Sequence, residues 1–308
     1  MKQSWQQIGQ QRDWVWRGWQ TRYTYSRPAH LNPQQSPVMF LHGFGGSIGH
    51  WRHNWSPIAA HHAVYALDLV GFGASRKPQT QYNINLWVEQ LHDFWLTFIR
   101  VPIVIVGNSI GSLVALVAAA TYPEMVRSLV MVSLFDPSVE QDKIPGWLLP
   151  AVNKFKLFLV QPWLLKRIFY VVSKPKLVKR WARFAYANDQ AIDPELLDIF
   201  LTPAQEPEAA NAFAAILRGM INSYFSPNVR RFFPRMKLPM LLIWGHRDRI
   251  IPRSNIESLA RLNPRLQFVE MPAAGHCAHD ELPTEVNQLL INWLNQPQSN
   301  ATGTILQN

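Results

Sequence analysis

A chain of 308 residues, 48% of them hydrophobic, can bury a large core, and its single cysteine, Cys277, excludes an internal disulfide. The formal net charge of +10 is concentrated: between Gln141 and Ala185 ten basic residues stand against Asp142 alone, so this stretch carries +9 and the rest of the chain +1. The N-terminal MKQSWQQIGQQRDW lacks the apolar run of a secretory signal, and no run reaches the roughly 18 apolar residues of a membrane-spanning helix, so a cytoplasmic location is expected, with the basic stretch free to lie peripherally on a membrane.

In chain order, Val15–Tyr25 is aromatic and extended and reads as an opening pair of strands. Pro37–Leu41 is a short apolar run ending in His42-Gly43-Phe44-Gly45-Gly46-Ser47. Val64–Leu69 is a second strand, followed by the turn Gly71-Phe72-Gly73, which Asp68 is expected to hold together. Helical spacing of Leu86, Trp87, Leu91, Phe94, Trp95 and Phe98 predicts a helix over Asn85–Ile99. Val101–Val106 is a β-branched run broken only by Pro102, as a strand buried on both faces requires. Ile110–Thr121 reads as a helix and Val126–Phe135 as the next strand. This alternation predicts an α/β fold, a mostly parallel sheet with helices on both faces.

The alternation then stops. From Asp136 to about Pro234 the pattern is helical and cut into short pieces by Pro145, Pro150, Pro162 and Pro175. Strands resume at Leu238–Trp244 and Leu266–Met271, and Thr284–Leu294 closes the chain as a helix. The expected organisation is a core of residues 1–135 and 236–296, a helical insertion over 136–235, and a flexible tail over 297–308.

Gly107-Asn108-Ser109-Ile110-Gly111 matches G-x-S-x-G between a strand and a helix. A serine on so tight a turn stands clear of the backbone, and glycine two residues to either side avoids a collision. The N–H groups of Ile110 and Phe44 are the expected oxyanion donors, the second from the glycine-rich loop after the earlier strand. A serine hydroxyl needs a base, and the base a carboxylate to orient it. His276, just after a late strand, is the expected base; Asp248, in the loop Gly245–Arg249, is the expected acid, with Asp136 as its rival. His279 and Glu281 are expected to position the loop and cap the last helix, and His42 to serve as a structural hydrogen-bonder. The pairs His50/His53 and His276/His279 lack the companions of a zinc site, and no phosphate-binding loop is present, so no metal or cofactor is expected.

With Asp68–Ser75 and Gly275-His276 added, these motifs resemble the α/β-hydrolase superfamily from about Trp14 to Trp293. The resemblance implies a triad of Ser109, Asp248 and His276 and a lid made by the inserted helices. Serine at the elbow separates the chain from the haloalkane dehalogenase and epoxide hydrolase branches, which use aspartate. Gly107–Gly111 together with Gly275-His276-Cys277-Ala278-His279-Asp280-Glu281 is similar to the pheophytinase and chlorophyll-dephytylase group, which implies hydrolysis of a pigment's phytyl ester at a thylakoid-type membrane. Ser112, where a second glycine is common, and Ala278, where proline is expected, depart from that pattern.

The inserted stretch mixes its basic residues with large apolar ones, among them Trp147, Phe155, Trp163, Phe169, Tyr170 and Trp181. Such a surface suits anionic lipid, while no nucleic-acid-binding module is present. Ester hydrolysis of a bulky hydrophobic substrate is therefore the expected function. Carbon–carbon bond hydrolysis and a small-molecule receptor with residual turnover remain as alternatives.

Overall fold

The computed structural model describes residues 8–30, 32, 34–137, 160–222 and 224–296. Lys143, Lys154, Lys156, Trp147 and Phe155 of the basic stretch, and the tail 297–308, lie outside the described residues.

Strands β1 (Gln10–Trp16) and β2 (Trp19–Ser26) form an antiparallel hairpin. Its two-residue turn, Arg17-Gly18, has φ of 51° and 79°. Positive φ at both central residues gives the turn whose twist matches that of the flanking strands. Six more strands run parallel: β3 (Val38–Leu41), β4 (Val64–Leu67), β5 (Ile103–Asn108), β6 (Val126–Val132), β7 (Met240–Gly245) and β8 (Leu266–Met271). The hairpin joins them through an antiparallel β2–β4 pairing, and the order across the eight-stranded sheet is β1-β2-β4-β3-β5-β6-β7-β8.

Both faces of the parallel strands are covered, which explains their unbroken apolar runs. Because side chains alternate along a strand, Met39, Leu41, Ile105 and Leu242 enter one core, while Phe40, Val104, Val106 and Ile243 enter the other. The first core is roofed by α2 (Ile84–Phe98) and α3 (Ile110–Thr121), and the second by α1 (Trp55–Ala59) and the last helix, Pro283–Asn295. Asn83 starts α2 with its side chain accepting the Leu86 N–H at 2.9 Å.

Between β6 and β7 the described residues form α4 (Pro162–Val172), α5 (Pro175–Ala185), α6 (Pro194–Ala204), α7 (Ala209–Ile221) and α8 (Val229–Phe232). Pro162 and Pro175, which cut the sequence pattern, each open a helix, where a missing N–H is harmless. After β7 come α9 (Arg253–Ala260), the single turn α10 (Ala278–Glu281) and α11 (Pro283–Asn295). No described helix is long and apolar enough to cross a membrane.

The sheet order sets the place for chemistry. From β3 the chain moves outward to β4, then returns to put β5 on the other side of β3. At such a switch point the loops leaving the two strands part, and a crevice opens at the carboxyl ends. The loops following β3 and β5 are His42–Ser47 and the Ser109 turn.

Candidate active site

Ser109 lies between β5 and α3 with φ 53° and ψ −115°, a conformation that costs on the order of 1–3 kcal/mol for a residue with a Cβ. Its N–H donates to the carbonyl of Val132 at 2.9 Å, and its own carbonyl accepts from Ser112 at 3.0 Å. Ser109 is partly exposed, while Asn108 and Ile110 beside it are buried. The glycines of the motif are sterically required. A Cβ at Gly107 would lie 2.5 Å from the Gly111 carbonyl oxygen, and one at Gly111 would lie 2.4 Å from that of Leu41. Ser112 occupies the usual second-glycine place without conflict, because its hydroxyl donates back to Gly107 O at 2.7 Å.

The loop after β3 rests on this turn. A Cβ at Gly43 would meet Asn108 Oδ1 at 2.6 Å and the Ser109 Cβ at 3.2 Å, so Phe44 follows a residue in direct contact with the serine. Among the described residues, no acceptor receives the N–H of Phe44 or of Ile110. His42, behind this loop, is buried, and burial pulls its pKa below the usual histidine range. Its Nε2 accepts the Leu69 N–H at 3.1 Å and its Nδ1 donates to Gly43 O at 2.8 Å, a structural role for a neutral ring. Asp68 receives the N–H groups of Ile48 and Ala74, both at 2.7 Å, and so ties the glycine-rich loop to the Gly71–Gly73 turn.

His276 and Asp248 come together from loops after β8 and β7. His276 Nδ1 donates to Asp248 Oδ2 at 2.8 Å, with the Asp248 side chain fully shielded. The other carboxylate oxygen accepts from Ile250 and Ile251 at 2.8 and 3.0 Å, which locks the acid's orientation. Asp136, the rival acid, instead faces Arg230, whose Nε lies 3.5 Å away. Asn108 reaches across from the serine's side: its Nδ2 donates to the His276 carbonyl at 3.3 Å.

The histidine's loop is also held by the helices between β6 and β7. The His276 N–H donates to the carbonyl of Ala185, the last residue of α5, at 2.8 Å. Glu281 Oε1 accepts from Gly275 and Cys277 at 2.9 and 3.3 Å, while Oε2 accepts from Ala187 and Asn188 at 2.6 and 3.2 Å. Burial raises the Glu281 pKa, and these N–H groups act in the opposite direction. Beside it, Asp280 accepts from the Tyr186 hydroxyl at 2.9 Å and pairs with Arg52 at 3.1 Å; Arg52 also binds Asp193 and Glu195. The sequence points to Glu281 as a loop-positioning residue. Its bond to Ala187 and Asn188, and the parts of Tyr186 and Arg52, have no local sequence signal, since the partners are separated by 93 to 228 positions.

Aromatic rings flank the serine's loop. Phe44 is in edge contact with Phe72 at 5.6 Å and lies 6.1 Å from Phe213 of α7, which in turn lies 5.1 Å from Phe169 of α4.

This arrangement of strands, turn and loops is that of one family: residues 36–283 match the α/β-hydrolase fold, and the chain belongs to that family. Among curated proteins it is 23% identical to the chloroplastic pheophytinase of Arabidopsis thaliana over 90% of this chain, but it spans only 65% of that protein's length. It is 24% identical to Lipase 3 of Moraxella sp. (strain TA144), covering 80% of this chain and 73% of the lipase. Among solved structures, a bacterial membrane phospholipase A superposes with a TM-score of 0.72 at 25% identity, over 92% of this chain and 85% of that one. Cfl2 from Burkholderia cenocepacia gives 0.76 at 18% identity, over 92% and 95%, a likeness of fold.

Proposed function

We propose that this chain is a serine hydrolase that cleaves a carboxylic ester of a bulky hydrophobic substrate through an acyl-enzyme. The observation that carries this reading is the 2.8 Å bond from His276 to a fully shielded Asp248, set on loops at the same sheet end as a strained, partly exposed Ser109. Asp248 fixes the imidazole with its Nδ1 protonated, leaving Nε2 free to take a proton. The Ser109 hydroxyl attacks the ester carbonyl carbon and gives its proton to His276. The N–H groups of Phe44 and Ile110 receive the negative oxygen, helped by the N-terminal dipole of α3. As the intermediate collapses, His276 returns the proton to the leaving alcohol and the acyl group stays on Ser109. Water then attacks the acyl carbon, passes its proton to His276, and the acid leaves as Ser109 is reprotonated.

The rings of Phe44, Phe72 and Phe213 support a large apolar substrate, because a ring packed beside the oxyanion loop gains from burying hydrocarbon. The helices between β6 and β7 serve in this reading as a lid. The likeness to pheophytinase supports the phytyl ester of a chlorophyll-type pigment as the finer substrate class.

Turnover of short- and long-chain aryl esters and of pheophytin, by wild type and Ser109→Ala, tests the proposal. Serine-dependent release favouring long chains is expected. Cleavage of a diketone with no ester turnover would overturn it in favour of carbon–carbon hydrolysis.

A further inference from the structure

The helix α5 is divided lengthwise into three strips. Ala182 is buried against the rest of the molecule. Lys176, Lys179, Arg180 and Arg183 form a solvent-facing row at spacings of three and four, the periodicity of one helix face. Between these strips run Leu177, Trp181 and Phe184, again at helical spacing. Trp181 is 58% and Phe184 45% exposed, and their rings touch edge to face at 5.9 Å. The preceding helix α4 repeats the theme, with Trp163 and Tyr170 exposed beside Lys166 and Arg167. No acid occurs from Val160 to Asn188. Arg183 pairs with Asp189, while Lys176, Lys179 and Arg180 meet no carboxylate among the described residues.

Two features of this face point to one kind of partner. A row of unneutralised cations attracts an anionic surface, but cations alone would serve any polyanion equally. Exposed tryptophan and phenylalanine beside such a row are costly in water, and they are what enters the boundary between headgroups and acyl chains. We propose that α4 and α5 form a docking face for an anionic lipid bilayer, with Lys176, Lys179 and Arg180 over the headgroups and Trp181 and Phe184 inserted. Docking there bears on the site directly, because α5 ends on the carbonyl that holds the His276 N–H. The face would also deliver hydrocarbon-rich substrates from the bilayer, whatever bond is then cleaved.

The test is flotation of the full chain with vesicles of phosphatidylcholine alone or mixed with phosphatidylglycerol. Wild type is expected to float with the mixed vesicles and to be released by high salt, which screens the attraction. Each cation near an anionic surface strengthens binding about five-fold, so K176Q/K179Q/R180Q is expected to bind roughly a hundred-fold more weakly. Its turnover of a short, water-soluble ester should match wild type, which shows that the variant folds. Trp181→Ala with Phe184→Ala is expected to remove the binding that survives moderate salt. The proposal is overturned if wild type ignores both vesicles, or if the charge-neutralised variant binds as well as wild type. Loss of nucleic-acid or acidic-protein binding in that variant, with no vesicle binding by wild type, would also overturn it.

Discussion

Ser109 is held by its own turn and the sheet: glycines at 107 and 111 pressed against carbonyls, a left-handed φ, a main-chain bond to the neighbouring strand, and the Ser112 hydroxyl on Gly107. His276 is held in another way, on a loop whose N–H groups end on a carbonyl at the end of α5 and on a buried carboxylate that also grips residues 187 and 188. The serine's half of the site is therefore assembled with the sheet, while the histidine's half is complete only when the helices between β6 and β7 are docked. One half depends on steric exclusion, which acts all or none; the other depends on polar bonds, which can be weakened one at a time.

That difference can be broken at graded points. Ser109→Ala should cost about 10⁶-fold in kcat with little change in stability, read by steady-state ester hydrolysis beside a melting curve. Asp248→Asn should cost about 10⁴-fold, because asparagine favours the wrong imidazole tautomer. Asp136→Asn, beside Arg230, should leave kcat within about ten-fold of wild type; a loss equal to that of Asp248→Asn would refute the acid's assignment. Acid should loosen the histidine's half in particular. His50, whose Nε2 meets the Tyr186 hydroxyl at 2.8 Å, is pushed down to about 4 by burial, with Arg52, His42 and His276 adding to the effect and Asp280 opposing it. The unfolded chain would bind that proton near pH 6.5, so the unfolded state gains protons first as pH falls. Stability is thus full above about pH 6.5 and declines toward pH 4, by up to about 3 kcal/mol. Denaturant melts across that window should show the slope, and His50→Gln should flatten it. Glu281→Gln is expected to lower the unfolding free energy by about 2 kcal/mol by leaving N–H groups poorly paired. Its kcat should fall as well, whereas an unchanged kcat would mean that the clamp serves stability alone.

Much of the architecture was legible because burial leaves unbroken apolar runs in the strands and period-3.6 marks in the helices. The run Val101–Val106 reads as a strand, which forms two residues further on, over Ile103–Asn108; Leu266–Met271 forms as read, and Ile110–Thr121 is a helix at both its read ends. The short helices Trp55–Ala59 and Arg253–Ala260 left no clear period and were not legible. In the site, Ser109 and its glycines announce themselves because the turn's sterics admit few residues. Asp248 could be placed on a loop but not distinguished from Asp136, since both follow strands and only the folded chain shows which one meets His276. The bonds of Arg52 and Tyr186 were invisible for a simpler reason: neither position has a neighbour in sequence that explains its chemistry.

The carbonyl of Ala185 and the carboxylate of Glu281 together set a rule for engineering. Grafting a relative's helical segment onto this sheet would transplant substrate preference only if the seam travels with it. The graft must supply a main-chain acceptor for His276 and two donors for Glu281, or the recipient must bring its own matching segment after the histidine. A chimera cut anywhere else would keep its serine in place and loosen the loop that holds His276.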